Sequence, residues 1–161
     1  MDETTRAYIA GSLDGDGSSI LQLKPRRDYV FGYQIKATVS LYQKRHNRRV
    51  LKWLNQQIGW GTVRDRPDGI SEYDVEGLAQ ARTVLERVKP YVVLKAPQVE
   101  QALSLLQEML STQEATPEEF LRWAEVVETF QALNYFKNRR HSAADVRQYL
   151  ESKGYLSPRN D

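Results

Sequence analysis

The chain has no cysteine and only two histidines, His46 and His141, among 161 residues. Without thiols it can build neither a disulfide framework nor a thiolate metal centre, and two isolated histidines are too few for a histidine-based metal site. No apolar run approaches the roughly 18 residues of a membrane span, and Met1-Asp2-Glu3 does not begin a secretory signal. The expectation is a soluble, intracellular protein with no membrane partner. Net charge is also small, +2, which for the whole chain points to no particular partner.

The charge that is present is unevenly placed. From Gln22 to Arg66 there are 11 Lys and Arg against 2 acids, Asp28 and Asp65, leaving 12 basic and 19 acidic residues elsewhere. A basic block inside an otherwise acidic chain is the footprint of a surface that meets a polyanion.

The stretch that organises the chain is Tyr8-Ile9-Ala10-Gly11-Ser12-Leu13-Asp14-Gly15-Asp16-Gly17. It reads as an apolar helix of small residues, capped by Thr4 or Thr5 and released by Gly15 and Gly17. Asp14 and Asp16 then stand at a helix C-terminus, where the macrodipole disfavours a bare carboxylate; two acids there call for a cation. Ala10, Gly11 and Ser12 present so little side chain that a second helix can approach closely. A chain with one such helix finds its partner by dimerising, which brings two copies of Asp16 together. An EF-hand reading fails: counted from Ser12 the twelfth position is Leu23, and from Asp14 it is Pro25, neither of which binds calcium.

Downstream, alternation predicts strands over Ser18 to Arg27 and Tyr29 to Gln43. In the second, Phe31, Tyr33, Ile35, Ala37, Val39 and Leu41 fall on one face. Arg48 to Ile58 is an amphipathic helix ended by Gly59. A hairpin turning at Pro67-Asp68-Gly69 follows, and then a helix over Gly77 to Val88. The fold class is α+β: helix, two strands, helix, two strands, helix, forming a four-stranded antiparallel sheet with helices on its inner face. Helical spacing resumes from Gln98, with Val99, Ala102, Leu103, Leu106, Met109 and Leu110 inward. It continues after the Thr116-Pro117 cap and ends in a helix over Ser142 to Lys153. No linker divides the chain, so 1–161 reads as a single domain: a core over about 4–95, C-terminal helices over about 96–153, and a tail over 154–161.

The outward face of that sheet carries Gln22, Lys24, Arg26, Asp28, Gln34, Lys36, Thr38, Ser40, Arg64, Arg66, Glu72 and Asp74, with Tyr29 counted alongside Asp28 at the tip. Arg and Lys read guanine, Gln reads adenine, and carboxylates accept from the cytosine amino group. A mixture of acids, amides and bases suits base reading better than phosphate contact alone. Phosphate contact is assigned to the basic segment Lys137, Asn138, Arg139, Arg140 and His141, of which Lys137, Arg140 and His141 are taken as DNA-binding.

Tyr-Ile-Ala-Gly-Ser-Leu-Asp-Gly-Asp-Gly resembles the LAGLIDADG motif of homing endonucleases, in the single-motif, homodimeric branch, and the order of elements is similar along nearly the whole chain. The resemblance implies an αββαββα core with additional C-terminal helices, and a sheet lying along the major groove of double-stranded DNA. It implies site-specific, Mg²⁺-dependent cleavage, with Mn²⁺ as a substitute ion, at a long pseudo-palindromic site, and no small-molecule substrate. It further implies an origin in a mobile intron and an organellar setting, chloroplast or mitochondrion. Asp16 becomes the metal ligand with the Gly15 carbonyl; Gln43 orders solvent; Lys95 occupies the position of a catalytic lysine. At the family's arginine position this chain has Asn47, followed by Arg48, so either can fill that role. Tyr8, Ala10, Gly11 and Ser12 form the dimer interface, and Asp14 braces the helix end. The rival is a non-cleaving DNA- or RNA-binding module on the same fold, a regulator or an intron maturase.

Overall fold

Period-two alternation becomes an antiparallel sheet of four strands in the order β1-β2-β4-β3. They are β1 (Ser18–Pro25), β2 (Tyr33–Lys44), β3 (Thr62–Asp65) and β4 (Ile70–Glu76). These come from a computed structural model that describes residues 1–134 and 140–159. Register fixes the faces: Gln22 lies opposite Lys36 and Lys24 opposite Gln34. Ser40 and Tyr42 pair with Asp74 and Glu72, and Arg64 with Glu72. Every second residue therefore falls on one polar face, while Leu21, Leu23, Ile35, Ala37, Val39, Leu41, Tyr73 and Val75 are buried on the other.

Helices α1 (Glu3–Gly15), α2 (Arg48–Ile58), α3 (Leu78–Val88), α4 (Ala96–Ser111), α5 (Pro117–Leu133) and α6 (Ala143–Ser152) complete the chain. The buried apolar residues form one cluster from Ile9 to Leu150. The edge strand β1 is covered by α5, whose buried Gln131 donates from Nε2 to the Leu21 carbonyl at 3.0 Å. Thr116 with Glu119, and Ser142 with Asp145, form capping boxes at the starts of α5 and α6; each cap stabilises its helix by about 1 kcal/mol.

Several boundaries depart from the sequence reading for local reasons. Asp2, not Thr4 or Thr5, caps α1, accepting from the Thr5 amide at 2.8 Å. The helix continues through Gly15 to its C-cap, Asp16. Between β1 and β2 the chain turns over 26–32, where the Arg26 amide bonds the Gly32 carbonyl and the Gly32 amide bonds the Tyr29 carbonyl. Gly32 has φ +72, and a Cβ there would lie 2.5 Å from the Tyr149 ring, so glycine is required for both conformation and space. Phe31 leaves the strand and packs on Phe120 and Tyr155 instead. In α4, Leu105 is buried and Leu110 is exposed, one turn of the inward stripe differing from the spacing read in sequence.

Candidate active site and nucleic-acid interface

The end of α1 meets the start of α4. Asp14 accepts hydrogen bonds from the backbone amides of Val93 (2.7 Å), Leu94 (3.1 Å) and Lys95 (2.9 Å). Burial by itself pushes the Asp14 carboxyl up, but these amides outweigh it and hold it below the ordinary carboxylate range. Lys95 returns the contact: Nζ donates to the carbonyls of Leu13 at 2.7 Å and Gly17 at 2.5 Å. Burial lowers the Lys95 ammonium, opposed by the charges of Asp14 and Asp16. Asp14 is thus the brace expected, whereas Lys95 is held by the backbone on both sides of the loop that carries Asp16.

Gly17 brings that loop onto the sheet. A Cβ at Gly17 would lie 2.7 Å from the Leu13 Cα and 2.8 Å from the Leu41 Cδ2, so only glycine lets the loop rest on Leu41. Gln43 lies two residues beyond Leu41, on the same side of β2. It therefore shares with Asp16 a cleft of about 710 Å³ that also takes in Lys44, His46, Asn47 and Arg66. The Asp16 carboxylate is exposed and accepts no hydrogen bond from the described residues.

Carboxylate and carbonyl oxygens at the negative end of a helix suit a hard divalent cation. Among the described residues, however, no group of three or more His, Asp or Glu side chains could hold an ion. Asp16 and the Gly15 carbonyl could furnish only part of a coordination shell, so an ion held there would need donors from outside this chain.

The cleft gathers Asp16, Gln43 and Asn47 but not Arg48. The Arg48 Nε lies 3.0 Å from Asp65 Oδ1, an ion pair rather than an aligned hydrogen bond, and its Nη2 reaches the Val63 carbonyl at 3.5 Å. Its guanidinium is turned toward β3, away from the residues that line the cleft. Lys44 and His46 were missed in the sequence; their only signal was adjacency to Gln43 in an exposed basic turn.

Gln22, Lys24, Gln34, Lys36 and Thr38 lie on the polar sheet face as expected, and Lys36 pairs with Glu76 at 3.3 Å. At the tip, Arg26 pairs with Asp28 at 3.2 Å and stands over the Tyr29 ring. Arg66 pairs with Asp68 at 2.7 Å at the β3–β4 turn. Ser40 and Asp74 lie deeper than their phase suggested: they are 2% and 8% exposed and bonded to each other, while Glu72 and Arg64 remain above them. Arg140 is exposed, His141 stands 5.9 Å from the Tyr33 ring, and Lys137 lies outside the described residues.

On α1, Gly11 is exposed with open space above it, Ser12 is half-buried and bonded to the Tyr8 carbonyl, and Tyr8 packs edge-on against Trp53 of α2. Ala10 is fully buried in its own core, so its side chain offers no surface to a partner. Val93 and Leu94, held beside α1 by Asp14, are 82% and 72% exposed. The sequence reading gave them no role of their own.

No family model matches the chain. Individual proteins do. It is 35% identical to the DNA endonuclease I-CreI of Chlamydomonas reinhardtii over 145 residues, 90% of this chain and 88% of that one. It is 30% identical to the DNA endonuclease I-CvuI of Chlorella vulgaris over 155 residues, 96% and 95% of the two. The crystal structure of I-CvuI with the I-CreI target and Mg, its DNA not cleaved, superposes with a TM-score of 0.88 over 96% of this chain and 97% of that one. An archaeal intron-encoded homing endonuclease, I-Vdi141I complexed with DNA, shares the fold at a TM-score of 0.83 and 16% identity, covering 97% of this chain and all of the other.

Proposed function

The chain belongs to the LAGLIDADG homing endonuclease family, and from that premise we propose that it is a homodimeric, site-specific DNA endonuclease, dependent on Mg²⁺, that cleaves a long pseudo-palindromic site. The observation that carries the reading is Asp16: an exposed carboxylate at the end of α1, sharing a cleft with Gln43 and Asn47 at one end of a polar four-stranded face. An acid there cannot complete an ion site by itself, and a second copy related by a two-fold axis would bring its equivalent.

In this reading Asp16 and the Gly15 carbonyl hold the ion. When bound, it supplies charge neutralisation at the scissile phosphate and a more acidic water. Gln43 offers an amide donor and acceptor to orient that water, and Asn47 extends the polar wall of the cleft. Lys95 pins the Asp16 loop through the Leu13 and Gly17 carbonyls. The dimer surface comprises Tyr8, Gly11 and Ser12, and we add Val93 and Leu94. Base reading falls to the sheet: Gln22, Lys24, Gln34, Lys36, Thr38, Arg64, Arg66 and Glu72, with the tip residues Arg26, Asp28 and Tyr29. An organellar intron-encoded setting is in keeping with relatives from Chlamydomonas and Chlorella, and no helix of the described residues is long and apolar enough to cross a membrane.

Selection of cleavable sites from a randomised plasmid library in Mg²⁺ tests the proposal. Near-palindromic sites are expected, with cleavage lost on chelation. Asp16→Asn should abolish nicking while leaving Ca²⁺-supported duplex binding. Salt-dependent, sequence-preferring binding without cleavage under any divalent ion would favour a non-cleaving module instead.

A further inference from the structure

Asp74 is a buried carboxylate for which the chemistry above has no use. It sits in the middle of the polar sheet face, in register with Ser40 on β2 and Thr62 on β3, and both of its oxygens are taken. Ser40 Oγ donates to Oδ1 at 2.5 Å and Arg64 Nη2 donates to Oδ2 at 2.5 Å. With 8% exposure and both oxygens engaged, Asp74 cannot accept from a base edge. Its neighbour Arg64 can donate to one. The Arg64 side chain is 57% exposed, and the same Nη2 is 2.8 Å from Glu72 Oε1, directly across the ladder. Its Nε and Nη1 donors have no partner among the described residues.

We propose that Asp74 and Ser40 are positioning residues, not readers: linked across three strands, they fix the Arg64 guanidinium as a preorganised donor for guanine in the major groove. This rests on the DNA-reading function proposed above. The chemistry favours a base over a phosphate because two carboxylates already flank the guanidinium, so a third anion would be repelled. Guanine instead offers neutral acceptors, O6 and N7, to a guanidinium N–H that the carboxylates leave free. A long arginine left free on a sheet loses much rotamer freedom on binding; one held from beneath has lost it beforehand. Hydrogen bonding and charge from Asp74, with the charge of Glu72, raise the Arg64 pKa.

The test uses a recovered target duplex with each base pair of one half-site changed in turn, its binding measured in Ca²⁺. Arg64→Ala should flatten the preference for G·C at one base pair, by about tenfold or more. Asp74→Asn, which keeps the shape but weakens the hold, should blunt the preference at that same base pair. In the Arg64→Ala background it should do nothing further, because it acts only through Arg64. Ser40→Ala should give a smaller loss at the same place, and it keeps the test open should Asp74→Asn fail to fold. The inference is overturned if the Asp74 or Ser40 variants alter a different base pair, leave the Arg64 position untouched, or add to Arg64→Ala. A wild-type chain with no salt-dependent duplex affinity overturns the endonuclease reading itself, a result distinct from all of these.

Discussion

Asp14 and Lys95 join the end of α1 to the start of α4 by reciprocal side-chain-to-backbone hydrogen bonds. Asp14, in the last turn of α1, accepts the amides of Val93, Leu94 and Lys95, the three residues leading into α4; Lys95, at the N-cap of α4, donates to the carbonyls of Leu13, in that last turn, and of Gly17, just beyond it. Each charge sits against the helix terminus of opposite sign. An acid at a helix C-terminus looks misplaced on its own helix, and the misplacement disappears once the second helix is in position.

That lock makes the first prediction. Asp14→Ala leaves three amides without their acceptor, and Lys95→Met leaves two carbonyls without their donor. Each should destabilise the fold by about 1–3 kcal/mol, with the double variant costing less than the sum because the two residues form one joint. Urea unfolding at fixed protein concentration measures this, and strict additivity would refute the coupling.

Local pattern was legible in the sequence; partners distant in the chain were not. Alternation from Gln34 to Tyr42 named the polar sheet face correctly, because a two-residue period leaves no freedom once one side is buried. The same rule placed Ser40 and Asp74 on that face but could not show that cross-strand neighbours would cover them. Arg48 was a candidate for the cleft until Asp65, on a strand whose packing only the fold reveals, took its guanidinium. Asp16 with Gln43 was reached by resemblance; its physical reason, the contact of Gly17 with Leu41, spans 24 residues and has no local signal.

Three glycines of the first helix and its end should separate folding from assembly. Gly17→Ala forces a Cβ to within 2.7 Å of backbone, and backbone cannot easily give way. A loss of about 1–3 kcal/mol is expected, along with cleavage, since the Asp16 loop must lift. Gly11→Ala and Gly15→Ala meet nothing within 4 Å in the protomer. They should leave folding intact or slightly improved while weakening self-association, seen by sedimentation equilibrium. Unchanged dimerisation in both would move the interface away from α1.

Asn47 and Arg48 are adjacent but should answer differently. Asn47→Ala removes a polar group from the wall of the cleft and is expected to lower kcat with little change in thermal stability. Arg48→Ala breaks the contacts to Asp65 and the Val63 carbonyl, so it should act chiefly on stability, by up to about 1 kcal/mol for a part-exposed pair. Single-turnover cleavage of a recovered target, compared with thermal melts, separates the two. A larger loss in the chemical step for Arg48→Ala than for Asn47→Ala would return the guanidinium to the cleft.

Alkaline stability should depend on Tyr73. Its ring is buried in the sheet core and its hydroxyl donates to the Trp60 carbonyl. Burial raises the phenol well above its ordinary value of 10.0, because the phenolate would have to form out of water. Above pH 10 the unfolded chain therefore releases a proton that the folded chain retains, so the native state binds more protons and stability falls as pH rises. The loss begins near the unfolded value and continues until the folded phenol also ionises. Tyr73→Phe removes this ionisation but also leaves the Trp60 carbonyl without its donor. The variant should be less stable at neutral pH by about 1 kcal/mol, yet lose less stability than wild type above pH 10. Denaturant midpoints measured at neutral pH and across the alkaline range decide it: parallel decline of both proteins would mean that other groups govern the alkaline limb.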